Sequence, residues 1–200
     1  KNSVFYDIGA NIGTYSIFAA VTNGSKTFAF EPSSANFLSL IKNINANSVQ
    51  DIVQAFCIGL DNETKLTQLY MPDLRIGSSG HSVGESIDER LEEVQHPFSQ
   101  GVFSTTLDEL IYVWGLPAPN YIKIDVDNIE HKIIEGAKKL LQRDTLKSVL
   151  IEMNIKTRMG NKILKVLTGN GFSFDEEETE GRKKLEGWNE GEANYIFYRK

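Results

Sequence analysis

The residues with the plainest chemical purpose lie in the run Asp7-Ile8-Gly9-Ala10-Asn11-Ile12-Gly13, with Glu31 further along the chain. Gly9 and Gly13 let the backbone pass close to a ligand. A helix starting behind them would turn its free N–H groups and positive dipole end toward a negative group. Glu31 stands at the spacing at which an acidic residue accepts hydrogen bonds from both ribose hydroxyls. This combination suits a nucleoside. It suits a pyrophosphate poorly, because the dinucleotide fingerprint is Gly-x-Gly-x-x-Gly and Asn11 replaces its middle glycine.

A second group is Asp125 and Glu152, each following an apolar run, Tyr121-Ile122-Lys123-Ile124 and Val149-Leu150-Ile151. If those runs are neighbouring strands, both carboxylates reach the mouth of one cleft. There one could be a general base, or the pair could hold a divalent cation that makes a hydroxyl more acidic. Equally, Asp125 could bind a cofactor's amino group and Glu152 cap a loop. His81, His96 and His131 show no metal-ligand spacing and read first as polar surface residues. His131, beside the end of the Asp125 strand, and His81, in a long loop, stand as further candidate bases. Cys57 falls in an apolar strand and reads as core.

To bring these groups together the chain must alternate strands and helices, and its pattern does. An apolar run at 4–6 and a second at 27–30 flank a helical spacing at 15–21 that Gly24 breaks. Ser33 and Ser34 are candidate caps for a helix whose face carries Phe37, Ile41 and Ile44. Strands follow at 52–58 and 66–71. A long loop at 72–101 is crowded with Gly77, Ser78, Ser79, Gly80, Ser82, Gly84 and Ser86, and carries an acidic run at 88–93. Loops of that length are commonly lids, and this one is expected to form a mobile cover over the cleft. A strand from Val102, a helix at 107–113 and a buried strand at 121–126 come next. Asn128 is a candidate cap for a helix with Ile129, Ile133, Ala137 and Leu140 on one face. A strand at 148–153, a helix at 163–167 and a terminal hairpin with a charged connection at 175–192 complete the chain. The pattern predicts a single α/β domain over 1–200. Its sheet is mostly parallel with an antiparallel terminal strand, helices lie on both faces, and ligands bind beyond the carboxyl ends of the strands.

Composition narrows the partners. The 200 residues include 27 acidic and 21 basic side chains, a formal charge of -6, which is the wrong sign for a domain relying on phosphate neutralisation. Nucleic acid is therefore not expected as a partner. Nor is a membrane, since no apolar run approaches the roughly 18 residues a spanning helix needs. The single cysteine allows no intrachain disulfide, so a cytoplasmic setting is expected. The chain opens on Lys1 rather than Met, and a processed or trimmed N-terminus is expected.

The motifs taken in order resemble the FkbM family. They are Asp7 to Ser16, Phe30-Glu31-Pro32 with Phe37 and Asn43, Thr105-Thr106-Leu107-Asp108, Ile122-Lys123-Ile124-Asp125-Val126 with Glu130 and Gly136-Ala137, and Ile151-Glu152. One departure is plain: the family usually has Glu-Gly after Asp-Val, where this chain has Asp127-Asn128. The resemblance implies a class I, Rossmann-like methyltransferase that uses S-adenosylmethionine to methylate a hydroxyl of a small acceptor such as a sugar or glycan. It further implies that Asp7, Gly9, Asn11 and Gly13 cradle the methionine part of the cofactor and that Glu31 holds its ribose. The competing readings are a non-catalytic cofactor-binding module of the same fold and, against the missing glycine, a nicotinamide-dependent oxidoreductase.

Overall fold

The computed structural model describes residues 3–86, 93–127, 129–180 and 192–200, with Glu180 as backbone only. Its first half alternates as the pattern predicts: β1 (Val4–Ile8), α1 (Thr14–Asn23), β2 (Lys26–Phe30), α2 (Ser34–Ala46) and β3 (Val53–Phe56). α1 is bounded by Gly13 and Gly24, both in the left-handed conformation, so glycine sets its start as well as its end. Four strands then depart from the alternation: β4 (Gly59–Leu60), β5 (Lys65–Met71), β6 (Ser82–Val83) and β7 (Phe98–Thr105). Alternation resumes with α3 (Leu107–Tyr112), β8 (Tyr121–Ile124), α4 (Glu130–Glu135), a 3-10 turn at Leu140–Gln142 and β9 (Ser148–Met153). α5 (Arg158–Gly169), β10 (Phe172–Ser173), α6 (Glu176–Glu180) and β11 (Ala193–Arg199) end the chain.

The main sheet has the order β10-β11-β9-β8-β1-β2-β3. Pairing is parallel from β3 through β2, β1 and β8 to β9, and β11 runs antiparallel to both β9 and β10. The chain moves outward from β1 to β3 and returns to β8 on the other side of β1. The switch point, and with it the ligand crevice, lies at the carboxyl ends of β1 and β8.

Period-two alternation then sorts the side chains. Tyr6 and Ile8 of β1 share the larger core with Phe28, Phe30, Ile122 and Ile124, and with Ile133, Leu140, Ile163 and Leu167 of the elements on that face. Asp7, in register with Ala29 and Lys123, faces the other way, toward the smaller core that Ala20, Leu40 and Ile44 build beneath α1 and α2. Helices thus cover both faces. The same alternation puts polar residues at the centre of the sheet on the α1 side.

The stretch expected as a loop at 72–101 contains β6 and the start of β7. With β4 and β5 these form a second, four-stranded sheet of order β4-β7-β5-β6. Its buried residues Leu60, Leu69, Met71, Val83 and Val102 merge into the larger core, so the second sheet is packed on the first. The glycine and serine content concealed β6 because that strand is only Ser82-Val83 long, too short for any periodicity. Cys57 is exposed rather than core. β3 ends at Phe56, and Cys57 lies in the crossing to the second sheet with its thiol 3.7 Å from the Pro32 carbonyl. Ser33 is the N-cap of α2 but makes no side-chain capping bond. The helix expected through Leu140 breaks after Glu135 and resumes as the 3-10 turn. Asn128, expected as a cap, lies outside the described residues, as do most of the acidic run at 88–93 and residues 181–191 of the final connection. No helix among the described residues is long and apolar enough to cross a membrane.

Candidate functional site

A cavity of about 380 Å³ opens at the switch point. Gly9, Ala10, Asn11 and Ile12 form one wall and Glu31 and Pro32 another. Asp125, Val126 and Asp127 come from the end of β8, and residues 77–79 with His81 form the cover.

The glycine loop owes its path to steric facts. Gly9 has φ +73°, and a Cβ there would sit 2.0 Å from the Asp125 carbonyl oxygen, so the loop presses directly against the end of β8. The N–H groups of Gly9 and Ala10 both donate to the Phe30 carbonyl, which binds the loop to β2. Gly13 does not line the cavity. Its φ is +95° and a Cβ would meet Leu40 Cδ1 at 2.5 Å, so its small size serves the packing of α1 on α2. Asn43 completes the loop by donating to the Ile12 carbonyl at 2.8 Å.

Glu31 is almost wholly buried. Its Oε2 accepts the Asn11 N–H at 2.8 Å and its Oε1 the Ser33 N–H at 2.9 Å. Burial pushes its carboxyl up to about 7, against the two backbone donors, which pull it down, and with Asp127 and Asp7 adding to the rise. A carboxylate has about four acceptor positions, so roughly two remain for a ligand.

Behind the loop lies a charge array that the sequence reading left unassigned. Lys123 is 4% exposed, and its ammonium is 3.0 Å from Asp125 Oδ2 and 3.5 Å from Asp7 Oδ1. The Tyr15 ring lies below it at 4.7 Å. Burial works against the charge on Lys123, yet Asp7 and Asp125 hold its pKa above the ordinary value. Asp7, fully buried, also accepts from Ser16 Oγ at 2.6 Å. It is not among the cavity-lining residues and meets the site through Lys123, whereas Asp125 lines the cavity directly.

The cover is tied down from three sides. Asn36 accepts the Gly77 N–H at 2.8 Å and donates to the Ser78 carbonyl at 3.1 Å. Asn11 donates to the same carbonyl at 3.3 Å. Asp127 Oδ2 accepts the N–H groups of Gly80 and His81 at 2.7 and 2.9 Å. Burial raises the Asp127 carboxyl above its ordinary value, and those two N–H groups oppose the rise. Asp127 thus ties the cover to the end of β8.

Of the predicted site residues, Gly9, Asn11, Glu31 and Asp125 meet in this cavity. Glu152 and His131 do not line it. Glu152 lies within β9, in register with Asn194 of β11, and His131 is in the first turn of α4, where burial lowers its pKa. Among the described residues no group of three or more His, Cys, Asp or Glu converges as a metal site. Lys123, Asp127, Asn36 and the placement of His81 went unassigned. Lys123 alone carried a signal, as the one charged residue inside the apolar run at 121–124.

The comparisons with known proteins agree with this architecture. The profile described as the methyltransferase FkbM domain matches residues 7–174. The 31-O-demethyl-FK506 methyltransferase FkbM of Streptomyces tacrolimicus is 24% identical over 195 residues, covering 88% of this chain and 74% of that protein. The hexuronic acid methyltransferase AglP of Haloferax volcanii is 24% identical over 164 residues, covering 82% of this chain and 62% of its own length. Among solved structures, the methyltransferase FkbM from Methylobacillus flagellatus superposes with a TM-score of 0.61 at 15% identity, over 98% of this chain and 43% of that one. The chain thus spans three quarters or less of each of these proteins, and within that span it has the class I methyltransferase fold and belongs to the FkbM methyltransferase family.

Proposed function

We propose that this chain transfers a methyl group from S-adenosylmethionine to a hydroxyl oxygen of a small acceptor, a sugar or related natural product. The carrying observation is the meeting of the Gly9–Asn11 loop, Glu31 and Asp125 in one cavity at the switch point. The acceptor class is drawn from the relatives, one named for O-demethyl-FK506 and one for hexuronic acid.

The residues fit the cofactor. Glu31 keeps acceptor capacity for the two ribose hydroxyls, and Asn11 Oδ1 is buried without a hydrogen-bond partner among the described residues. Thr14 and Tyr15, at the start of α1, put that helix's free N–H groups beside the cavity, where an amino-acid carboxylate is favoured. Asp125, held by Lys123, is presented to a ligand ammonium. Glu31, Asp125 and Asp127 against Lys123 leave the lining acidic, which favours a sulfonium cation and disfavours the pyrophosphate of a nicotinamide dinucleotide. When bound, the cofactor supplies an electrophilic methyl group on a positively charged sulfur. The protein's part is to hold an acceptor oxygen in line with that methyl group, to exclude water with residues 77–81, and to remove the hydroxyl proton.

Calorimetry gives the first test. S-adenosylhomocysteine is expected to bind and NAD is not; the reverse preference would overturn the reading. Transfer of tritium from methyl-labelled S-adenosylmethionine to methyl glycosides of hexoses and hexuronic acids then tests the reaction. Cofactor binding without transfer to any hydroxyl acceptor would favour the non-catalytic module.

A further inference from the structure

We propose that His81 is the base that takes the proton from the acceptor hydroxyl, and that Asp127 is the residue that positions it. The inference rests on the methyltransfer reading above and assigns a role in that reaction that the family match does not.

The placement of His81 carries the argument. His81 is one of the residues lining the cavity, and its Nε2 is buried with no hydrogen-bond partner among the described residues. A buried polar atom without a partner is costly, and such atoms in native folds commonly await a ligand. The imidazole is not on a loose tip. The backbone N–H groups of His81 and Gly80 share Asp127 Oδ2, two residues past Asp125, at 2.9 and 2.7 Å. On the other side the chain runs at once into β6, whose Ser82 and Val83 are buried and paired with Tyr70 and Leu69 of β5. His81 is thereby anchored to β8 through Asp127 and to the second sheet through β6.

The alternatives in the cavity are already engaged. Asp125 is ion-paired with Lys123, and Glu31 accepts two backbone N–H groups. His131 does not line the cavity. Burial lowers the His81 pKa, and the neighbouring His96 lowers it further, outweighing the Asp73 carboxylate that raises it. The ring is thus neutral at neutral pH, the form a base requires. In the step itself the acceptor O–H bond breaks and its proton passes to Nε2. The oxygen's electron pair forms the new O–CH₃ bond while the methyl–sulfur bond breaks, its electrons remaining on sulfur. The imidazolium returns its proton to water.

The test reads His81 itself. In protein labelled with ¹⁵N-histidine, the His81 titration is followed with S-adenosylhomocysteine bound and again with S-adenosylmethionine bound. The two ligands differ by a methyl group and one positive charge. A cation within a few ångströms of the ring should lower its pKa by about one unit or more, while His96 and His131 stay put. Equal His81 pKa values with both ligands bound would overturn this inference alone. Failure of either ligand to bind would remove the methyltransfer reading and this inference with it. Asp127→Asn keeps an oxygen for the two N–H groups and should preserve the difference; Asp127→Ala should diminish it, and an undiminished difference would refute the positioning role. On a methyl glycoside that the wild-type protein methylates, His81→Gln should lower kcat by about 10²-fold or more with KM for S-adenosylmethionine nearly unchanged. Full turnover in that variant would refute the base.

Discussion

Replacing Lys123 with Met keeps most of the side-chain length and removes the charge that the buried array is built around. Asp7 is 0% exposed and, among the described residues, its carboxylate has only Ser16 Oγ besides this ammonium, so Lys123→Met leaves a buried anion with one hydroxyl for company. Breaking a buried ion pair from one side costs about 3–5 kcal/mol. Asp125 adds little to that figure, because its side chain is 42% exposed and water can take over the lost contact. For a domain of this size each kcal/mol lowers Tm by about 2–4 °C, so a fall of roughly 6–20 °C is expected in calorimetry. Lys123 has a raised folded-state pKa, so its stabilisation is complete below the ordinary lysine value and is lost only as pH climbs past it. The deficit of the variant should therefore be flat between pH 6 and 8. Adding Asp7→Asn should restore much of the loss, since a neutral pair of similar size has no uncompensated charge. A loss under about 1 kcal/mol, or a double variant no more stable than Lys123→Met alone, would refute this account of the array.

Three further outcomes are expected. Burial holds the Glu31 carboxyl at about 7, so the fold favours its protonated form. Stability in urea should decline as pH rises from about 4.3 through that value, by up to about 4 kcal/mol, and Glu31→Gln should remove that slope; an unchanged slope would show that Glu31 is not its source. Gly13→Val puts a branched side chain at φ +95° against Leu40, and should weaken S-adenosylhomocysteine binding by about tenfold or more by displacing the loop; unchanged affinity would contradict the loop's role. Asp125→Asn should weaken S-adenosylmethionine binding by about tenfold, as expected on losing a charged partner for an ammonium. Should affinity hold and kcat alone fall 10²-fold, Asp125 acts on the acceptor instead.

The parallel half of the fold was legible because its signals are local and strong. Short apolar runs alternate with helical spacings, and Gly9, Gly13 and Gly24 stand where the chain must turn left-handed. The second sheet was not legible for the opposite reason. β6 is two residues long and β4 likewise, and each is a strand only because β5 and β7 lie beside it. Glu31 and Asp125 could be read as site residues from position alone, each standing at a strand's carboxyl end. His131 and Glu152 stood in sequence as further candidates beside Asp125. Neither lines the cavity: His131 falls in the first turn of α4 and Glu152 within β9, and these placements are not local properties.

The array around Lys123 marks the limit of local reading most clearly. In a strand covered on both faces, a lysine between two isoleucines reads as an interruption of the apolar run. Its purpose follows only from the register, which sets Lys123 directly opposite Asp7 on the face that α1 covers, with Asp125 one alternation further along that face. Ile122 and Ile124, pointing the other way, join the larger core and fix the strand's height in the sheet. One short run therefore does two tasks by alternation: one face anchors the strand, and the other presents a buried cation that ties the end of β1 to the end of β8, where the cavity opens. Beyond the strand's end, Asp127 reaches the cover and accepts the backbone N–H groups of Gly80 and His81. A glutamate there would carry one more methylene and set the cover farther from β8, so an aspartate at this position goes with a more closely held cover.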